Sequence, residues 1–418
     1  MNIKLRLIIM NFLQFGVWGA YLTSMGAYLA ATSMASYIGL FYAMQGIVSI
    51  FMPAIVGIIA DRWVPAQRLL GVCHILAASF MGGAGYYAMQ SGGVGEVWPL
   101  FMLYTLSVAF YMPTIALSNT VAYNALNKAN LDTVKAFPPI RVWGTIGFIC
   151  AMWVVDLTGW KESSFQLNFS AILGIALGLY SLTLPSCEVN RNVKATSWID
   201  TLGLRAFALF KEKKMAIFFL FSMMLGMSLQ ITNAFADGYI ISFGDVAVHG
   251  EQYLDTFGVK HSTILISLSQ ISETLCILLI PFCLKRFGIK NVMLISMFAW
   301  VLRFGLLGAG NPGAGVWMFI LSMIVYGVAF DFFNISGSLY VEKETAPEIR
   351  ASAQGVFMIM TNGFGAFIGS YVAGWVVQSF GWPVSWYIFA GYALVVAVLF
   401  ALVFKYKHDP NAEVEVKH

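Results

Sequence analysis

Four ionisable side chains fall inside long apolar stretches of this sequence. They are Arg141, Glu273, Arg303 and Asp331. An ionised group at the centre of a bilayer costs about 3 kcal/mol or more unless it is paired or faces water. We therefore expect these residues to pair with one another or to line a polar pathway, and each marks a functional site.

Polar and aromatic residues recur around these charges at helical spacing. Residues three, four or seven positions apart share one face of a helix. Amides, ring faces and a few charges together suit a neutral, polyhydroxylated ligand with a flat ring. The sets that share a face are Arg141 with Thr145 and Phe148, Gln230 with Asn233, Gln270 with Glu273, and Tyr326 with Phe330.

Each of these sets also has a purely structural interpretation. A single Gln or Asn within a membrane helix often only bonds the neighbouring helix. Tyr326 and Phe330 taken alone are explained by packing. Asp156 and Asp237 lie near the ends of apolar stretches, where an interfacial position explains them.

The composition is that of a polytopic membrane protein. The chain has 418 residues, 59% of them hydrophobic and 11% charged, and its mean hydropathy is +0.77. The net charge of +4 reflects basic loops facing anionic lipid, so we expect no nucleic-acid partner.

Five cysteines, four in or at the ends of apolar stretches, give no disulfide framework. The scattered histidines predict no metal site, and no catalytic motif indicates an enzyme.

The apolar stretches predict about twelve membrane-spanning helices, because each can cross roughly 30 Å of hydrocarbon and is too long for a barrel strand. The expected fold is all-α. The predicted spans are 5–30, 37–60, 67–89, 97–125, 139–157, 165–184, 215–240, 262–284, 291–309, 315–340, 351–380 and 385–404.

Basic residues orient the chain. When the loops are assigned alternately to two sides, the second side holds only Lys161 and Lys260, and nearly all other Lys and Arg fall on the first. Positive loops remain in the cytoplasm, so both termini are predicted to be cytoplasmic. The basic N-terminus is expected to be an uncleaved first helix and not a signal peptide, since its apolar run is too long.

The order of spans indicates an internal duplication. Two sets of six spans flank a polar segment, which is typical of transporters built from repeats. We predict a first bundle over 1–184, a cytoplasmic linker over 185–214, a second bundle over 215–405 and a tail over 406–418.

The loop after the second span, GIIADRWVPAQR, carries a Gly-x-x-x-Asp-Arg pattern with a later basic residue. The matching residues are Gly57, Asp61, Arg62 and Arg68. In this loop the chain resembles the major facilitator superfamily. Glycine permits close helix approach, while the acid can accept from a neighbouring arginine and so latch one conformation. Topology-setting loop charge is the plain alternative.

Longer motifs carry a closer resemblance. FPPIRVWGTIGF, LQITNAF, SQISET and YGVAFDFFNISGS, followed by IRASAQG, are similar to the nucleoside:proton symporter family of that superfamily. The similarity runs along essentially the whole chain. One departure adds an acid near the implied site: Ala236 and Asp237 stand where the family pattern leads us to expect Gly-Asn.

The resemblance implies proton-driven nucleoside uptake by alternating access across a bacterial cytoplasmic membrane. It implies a substrate site formed by Arg141, Thr145, Phe148, Gln230, Asn233, Gln270, Glu273, Tyr326 and Phe330. Glu273 is the first choice for the proton-coupling residue and Asp331 the second. No cofactor is expected beyond the coupling proton, and the expected partners are a nucleoside and membrane lipid around a monomer.

Three other functions stay open on the residues alone. A proton-coupled sugar carrier and a nucleobase carrier would use the same kind of polar, aromatic site. A membrane receptor that transports nothing would leave the buried acid, arginine and amide faces without a role.

Overall fold

The computed structural model describes residues 2–91, 96–131, 133–187, 204–345 and 350–406. Every regular element in these ranges is helical, as expected for apolar runs whose backbone groups must bond within their own segment. The chain forms two compact units, over 1–202 and 203–416. Residues 188–203 of the predicted linker and 407–418 of the predicted tail lie outside the described residues.

In the first unit, long helices follow the predicted apolar stretches, and short 3-10 turns occur at Ala35–Tyr37, Trp160–Glu162 and Ser181–Thr183. The described α-helices are α1 Ile3–Gly19, α2 Met25–Ala31, α3 Ile38–Arg62, α4 Ala66–Gln90, α5 Val97–Lys128, α6 Thr133–Leu157 and α7 Phe165–Tyr180.

In the second unit, a 3-10 helix at Leu204–Lys211 precedes the long helices, and a π-helical segment at Ile359–Gly365 joins two of them. The described α-helices are α8 Lys213–Ser242, α9 Val246–His249, α10 Phe257–Lys260, α11 Ser262–Ala309, α12 Val316–Glu344, α13 Arg350–Met358, α14 Ala366–Phe380 and α15 Val384–Val403.

Ten helices of the described chain are long and apolar enough to cross a membrane. One of them, α11, is two segments in series, because Gly288 has φ 75° and ψ 165° in its interior. Glycine adopts this conformation without the strain that a Cβ would add. The break falls between the two spans that the sequence predicts at 262–284 and 291–309.

The first predicted span, 5–30, is not one helix. It is divided into α1 and α2 by a turn over residues 20–24. Neighbouring side chains satisfy polar groups of this turn: the Tyr42 hydroxyl donates to the Leu22 carbonyl, and the Ser24 hydroxyl donates to Gln166 Oε1 at 2.9 Å. The turn therefore depends on tertiary contacts.

Large apolar side chains cover the outer face of α11. Leu275, Leu278 and Phe282 are 59%, 75% and 63% exposed. A soluble protein rarely leaves such a contiguous apolar face in water, whereas lipid tails solvate it. The exposed apolar face fits a membrane-embedded helix.

Candidate functional site

Two of the predicted amides of the second unit, Gln230 and Asn233, lie on one face of α8. Gln230 is 8% exposed, and Asn233, one turn later, is half-buried. The Oε1 atom of Gln230 is buried and has no hydrogen-bond partner among the described residues. Leaving a buried acceptor unpaired costs about 1–3 kcal/mol. A ligand that donates a hydrogen bond would remove this cost, so this face is suited to binding.

Gln270 and Glu273 lie one turn apart on the first segment of α11, and both are half-buried. The segment packs closely against α12, because a Cβ on Gly327 would overlap the Ser272 carbonyl oxygen and the Cys276 sulfur. This contact brings Glu273 close enough to Asp331 for their charges to interact. The two predicted proton-coupling acids therefore lie in one electrostatically linked pair.

Two aromatic rings on α12 form a flat surface beside these groups. Tyr326 and Phe330 stack with their centroids 5.9 Å apart and an interplanar angle of 17°. Trp300 meets Tyr326 edge-on, with the centroids 6.1 Å apart. Tyr326 is buried, whereas Phe330 is half-buried, so part of its ring remains accessible. A flat ring could stack on such a surface.

Arg303 supports this aromatic pair from the second segment of α11. Its Nη1 atom donates to the Ser322 carbonyl at 2.7 Å and to the Ser269 hydroxyl at 3.4 Å, and only 2% of the residue is exposed. Its Cζ atom lies 4.6 Å from the centroid of the Tyr326 ring, within the range of a cation–π interaction. The guanidinium is thus held by backbone, hydroxyl and ring.

Asp331 is 3% exposed, and its Oδ2 atom has no hydrogen-bond partner in the described structure. No ion pair joins it to Arg303 among the described residues, although pairing of the intramembrane charges is one expectation from the sequence. The Arg303 Cζ atom also lies 6.0 Å from the centroid of the Trp300 ring. The sequence carries a signal for this contact, because the i, i+3 spacing of Trp300 and Arg303 places both on one helix face.

The three predicted residues of the first unit lie on α6. The Arg141 Cζ atom is 3.7 Å from the centroid of the Phe15 ring on α1. Thr145 is half-buried. Phe148 is 6% exposed and meets Trp18 edge-on, with the centroids 6.2 Å apart. Phe15 and Trp18 are not among the site residues predicted from the sequence, because an aromatic residue on an apolar helix carries no distinctive signal.

Glycines bring α1 and α6 into backbone contact at this level. A Cβ on Gly147 would overlap the Phe12 carbonyl oxygen, and one on Gly19 would overlap the carbonyl oxygen of Phe148. Small residues at such positions let membrane helices approach closely. This approach fixes the positions of Arg141 and Phe148 relative to α1.

Comparison with known proteins decides the family. The family model described as "Nucleoside H+ symporter" matches residues 1–409. The chain belongs to this nucleoside H+ symporter family. The resemblance inferred from the sequence motifs is confirmed.

Two relatives from Escherichia coli (strain K12) match along nearly their whole length. The chain is 49% identical to nucleoside permease NupG over 98% of this chain and 97% of NupG. It is 48% identical to xanthosine permease over 100% of this chain and 99% of that protein. A crystal structure of NupG carrying one aspartate-to-alanine substitution superposes with a TM-score of 0.91 at 48% identity, covering 97% of this chain and 100% of that chain.

Within this family member, the predicted latch is only partly described. A Cβ on Gly57 would meet no described atom within 4 Å, so the structure shows no close helix approach at this glycine. Arg68 is exposed on α4. The side chains of Asp61 and Arg62 lie outside the described residues.

The two acids near predicted span ends are both buried. Asp156 is 4% exposed, and its Oδ1 atom lies 3.9 Å from the Lys161 amine. Asp237 is 2% exposed and accepts from the Thr263 hydroxyl at 3.3 Å. Each acid thus has a partner within its own unit.

Proposed function

We propose that this chain is a nucleoside:proton symporter that carries nucleosides inward across the cytoplasmic membrane by alternating access. The family match over residues 1–409 is the observation that carries the proposal. The polar and aromatic groups on α8, α11 and α12 support it, since they suit a ligand with a flat base and a hydroxylated sugar.

In this proposal the amides recognise polar edges of the nucleoside. Gln230, Asn233 and Gln270 hydrogen-bond the base or the ribose, and the unpaired Gln230 Oε1 accepts from a ligand hydroxyl or amine. Phe330, stacked on Tyr326, gives the base a flat surface. In the first unit, Arg141, Thr145 and Phe148 supply further contacts.

Glu273 and Asp331 carry the coupling proton in this proposal. Two carboxylates that interact in apolar surroundings repel each other, and a proton on either one removes the repulsion. Glu273 is the first choice because it is only half-buried and lies one turn from Gln270, so substrate and proton are exchanged on one helix face. No cofactor other than the proton is required.

The proposed topology has both termini in the cytoplasm. The ten helices that qualify as membrane spans, with α11 counted as two segments and α1 added, give twelve crossings. Gly57, Asp61, Arg62 and Arg68 then belong to a cytoplasmic loop region where they latch one conformation. We propose that the working unit is a monomer.

Uptake into proteoliposomes tests the proposal. Radiolabelled nucleoside should accumulate under an inward proton gradient, and a protonophore should abolish the accumulation. Competition by uridine, adenosine, free bases and hexoses distinguishes a nucleoside carrier from a nucleobase or sugar carrier. If no nucleoside accumulates under the gradient, the proposal is wrong, and binding without transport would indicate a receptor.

A further inference from the structure

The first unit contains a small, partly open cavity between α1, the turn that follows it, and helices α4, α5 and α7. Its volume is about 10 Å³, near the lower limit for one water molecule. None of the predicted substrate residues lines it. The polar lining residues are Tyr21, His74, Ser107, Tyr111 and Ser170, and all the other lining residues are apolar.

A directional chain of hydrogen bonds determines the tautomer of His74. The Thr114 hydroxyl donates to the Tyr111 carbonyl at 2.6 Å, so its oxygen accepts from Gln14 Nε2 at 2.8 Å. Gln14 therefore presents its Oε1 atom to His74 Nε2, 2.8 Å away. Because an amide oxygen only accepts, His74 Nε2 must carry the hydrogen. In a neutral His74, Nδ1 is then unprotonated and can only accept a hydrogen bond.

Two buried polar atoms of the cavity lining lack partners. His74 Nδ1 and the Tyr21 hydroxyl have no hydrogen-bond partner among the described residues, and these side chains are 0% and 1% exposed. The first atom needs a donor, and the second has a hydrogen to donate. Each costs free energy while it stays unpaired.

The hydroxyl groups of the other polar lining residues already donate their hydrogens to backbone carbonyls. Ser107 donates to the Ala77 carbonyl at 2.7 Å, and Ser170 donates to the Val17 carbonyl at 2.8 Å. The Tyr111 hydroxyl donates to the backbone carbonyl of Gln14 at 2.7 Å. A single molecule that donates to His74 Nδ1 and accepts from the Tyr21 hydroxyl would satisfy both atoms. A water molecule does both and fits the volume.

We propose that one ordered water molecule occupies this cavity between His74 and Tyr21, and that His74 is a neutral positioning residue and not a carrier of the transported proton. The lining residues include no acid that would stabilise an imidazolium ion. His74 is 0% exposed, so an imidazolium ion there would be a charge removed from water.

The network positions an aromatic row that ends at a predicted substrate residue. His74 meets the Tyr111 ring edge-on, with the centroids 5.8 Å apart. Tyr111 contacts Trp18 at 6.1 Å between centroids, and Trp18 meets Phe148 at 6.2 Å. The water and His74 thus stabilise the position of Phe148 without contacting the nucleoside.

Nitrogen NMR of the histidine-labelled protein in lipid bilayers tests the tautomer and the water directly. The signal assigned to His74 by its loss in His74→Gln should report protonated Nε2, hydrogen-bonded Nδ1 and contact with water. It should stay unchanged between about pH 5 and pH 8. Tyr21→Phe, which removes only one hydroxyl, should shift the Nδ1 signal. A signal that titrates in this range, or one that shows no water contact, would overturn the proposal.

A transport assay gives the second readout, and its interpretation rests on the proposed function. Tyr21→Phe and His74→Gln should raise the KM for nucleoside about two- to tenfold, the effect of one hydrogen bond, while the pH profile of uptake stays that of the wild type. Tyr371→Phe, at a tyrosine that is 61% exposed, is the matched control. If His74→Gln abolishes proton-driven accumulation but keeps exchange, His74 carries the proton and the proposal is wrong. A wild-type protein that moves no nucleoside would refute the proposed function and leave the NMR result standing.

Discussion

The guanidinium of Arg303 lies over the ring of Tyr326, with 4.6 Å between Cζ and the ring centroid, and both side chains are buried. The same guanidinium donates to the Ser322 carbonyl on α12. A buried cation usually pairs with an acid, yet this one is stabilised by a ring face and a carbonyl dipole. Asp331 is thereby left without Arg303 as a counterion, which suits an acid that exchanges a proton.

Replacing Arg303 with lysine should weaken nucleoside binding. Lysine keeps the charge but loses the planar fork that donates to α12 while covering the Tyr326 ring. The loss of a desolvated cation–π contact, about 1–2 kcal/mol, predicts a KM increase of roughly fivefold to thirtyfold. The measurement is initial uptake rate against nucleoside concentration in proteoliposomes.

Arg286→Lys is the matched control, because Arg286 is exposed and its Cζ atom lies 5.8 Å from the centroid of the Phe287 ring. An exposed contact of this kind contributes little, so its KM should not change. A wild-type KM in Arg303→Lys would show that the Tyr326 contact does not influence the substrate site.

Alanine at Gln230, Asn233 or Gln270 should weaken nucleoside binding about tenfold or more. Each substitution removes an amide that serves a buried polar group of the ligand, a loss on the order of 1–3 kcal/mol. The dissociation constant, measured by scintillation proximity on purified protein, reports this loss. Gln90→Ala is the control, since that amide is exposed at the end of α4 and bonds the Tyr86 hydroxyl. Unchanged affinity in all three variants would show that these amides do not bind the nucleoside.

Glu273→Gln should uncouple nucleoside transport from the proton gradient. Glutamine keeps the shape of the side chain but cannot release a proton, so uphill accumulation should be lost while substrate exchange is partly retained. Both modes are measured in the same proteoliposomes. Glu251→Gln, which removes an exposed charge, should keep both modes. If Glu273→Gln still drives uphill uptake, the coupling role moves to Asp331 or Asp237.

Helical spacing predicted which polar residues share a face, because that relationship is local. Gln230 and Asn233 lie one turn apart on α8 as the sequence indicated, and Gly288 interrupts α11 between two predicted spans. The turn after α1 was not predictable, since residues 20–24 contain no Gly or Pro and the turn is stabilised by Tyr42 and Gln166 from other helices. Partners across helices depend on packing that periodicity does not encode.

The contact between α8 and the π-helical segment predicts a steric effect on stability. A Cβ on Gly226 would overlap the Thr361 carbonyl oxygen, so Gly226→Ala must push two backbones apart. Overpacking of this kind costs about 1–3 kcal/mol, and the apparent melting temperature in detergent should fall by several degrees.

Gly305→Ala supplies the opposite case on the second segment of α11. No described atom lies within 4 Å of the point that an alanine methyl group would occupy there, so the substitution meets open space. Alanine in a helix interior is favoured over glycine by about 0.5–1 kcal/mol, and this variant should melt at or slightly above the wild-type temperature. Equal melting temperatures for Gly226→Ala and Gly305→Ala would contradict the close approach of α8 to the π-helical segment. A loss of stability confined to Gly226→Ala would show that this approach, and with it the position of Gln230 one turn further along α8, depends on the absence of a side chain.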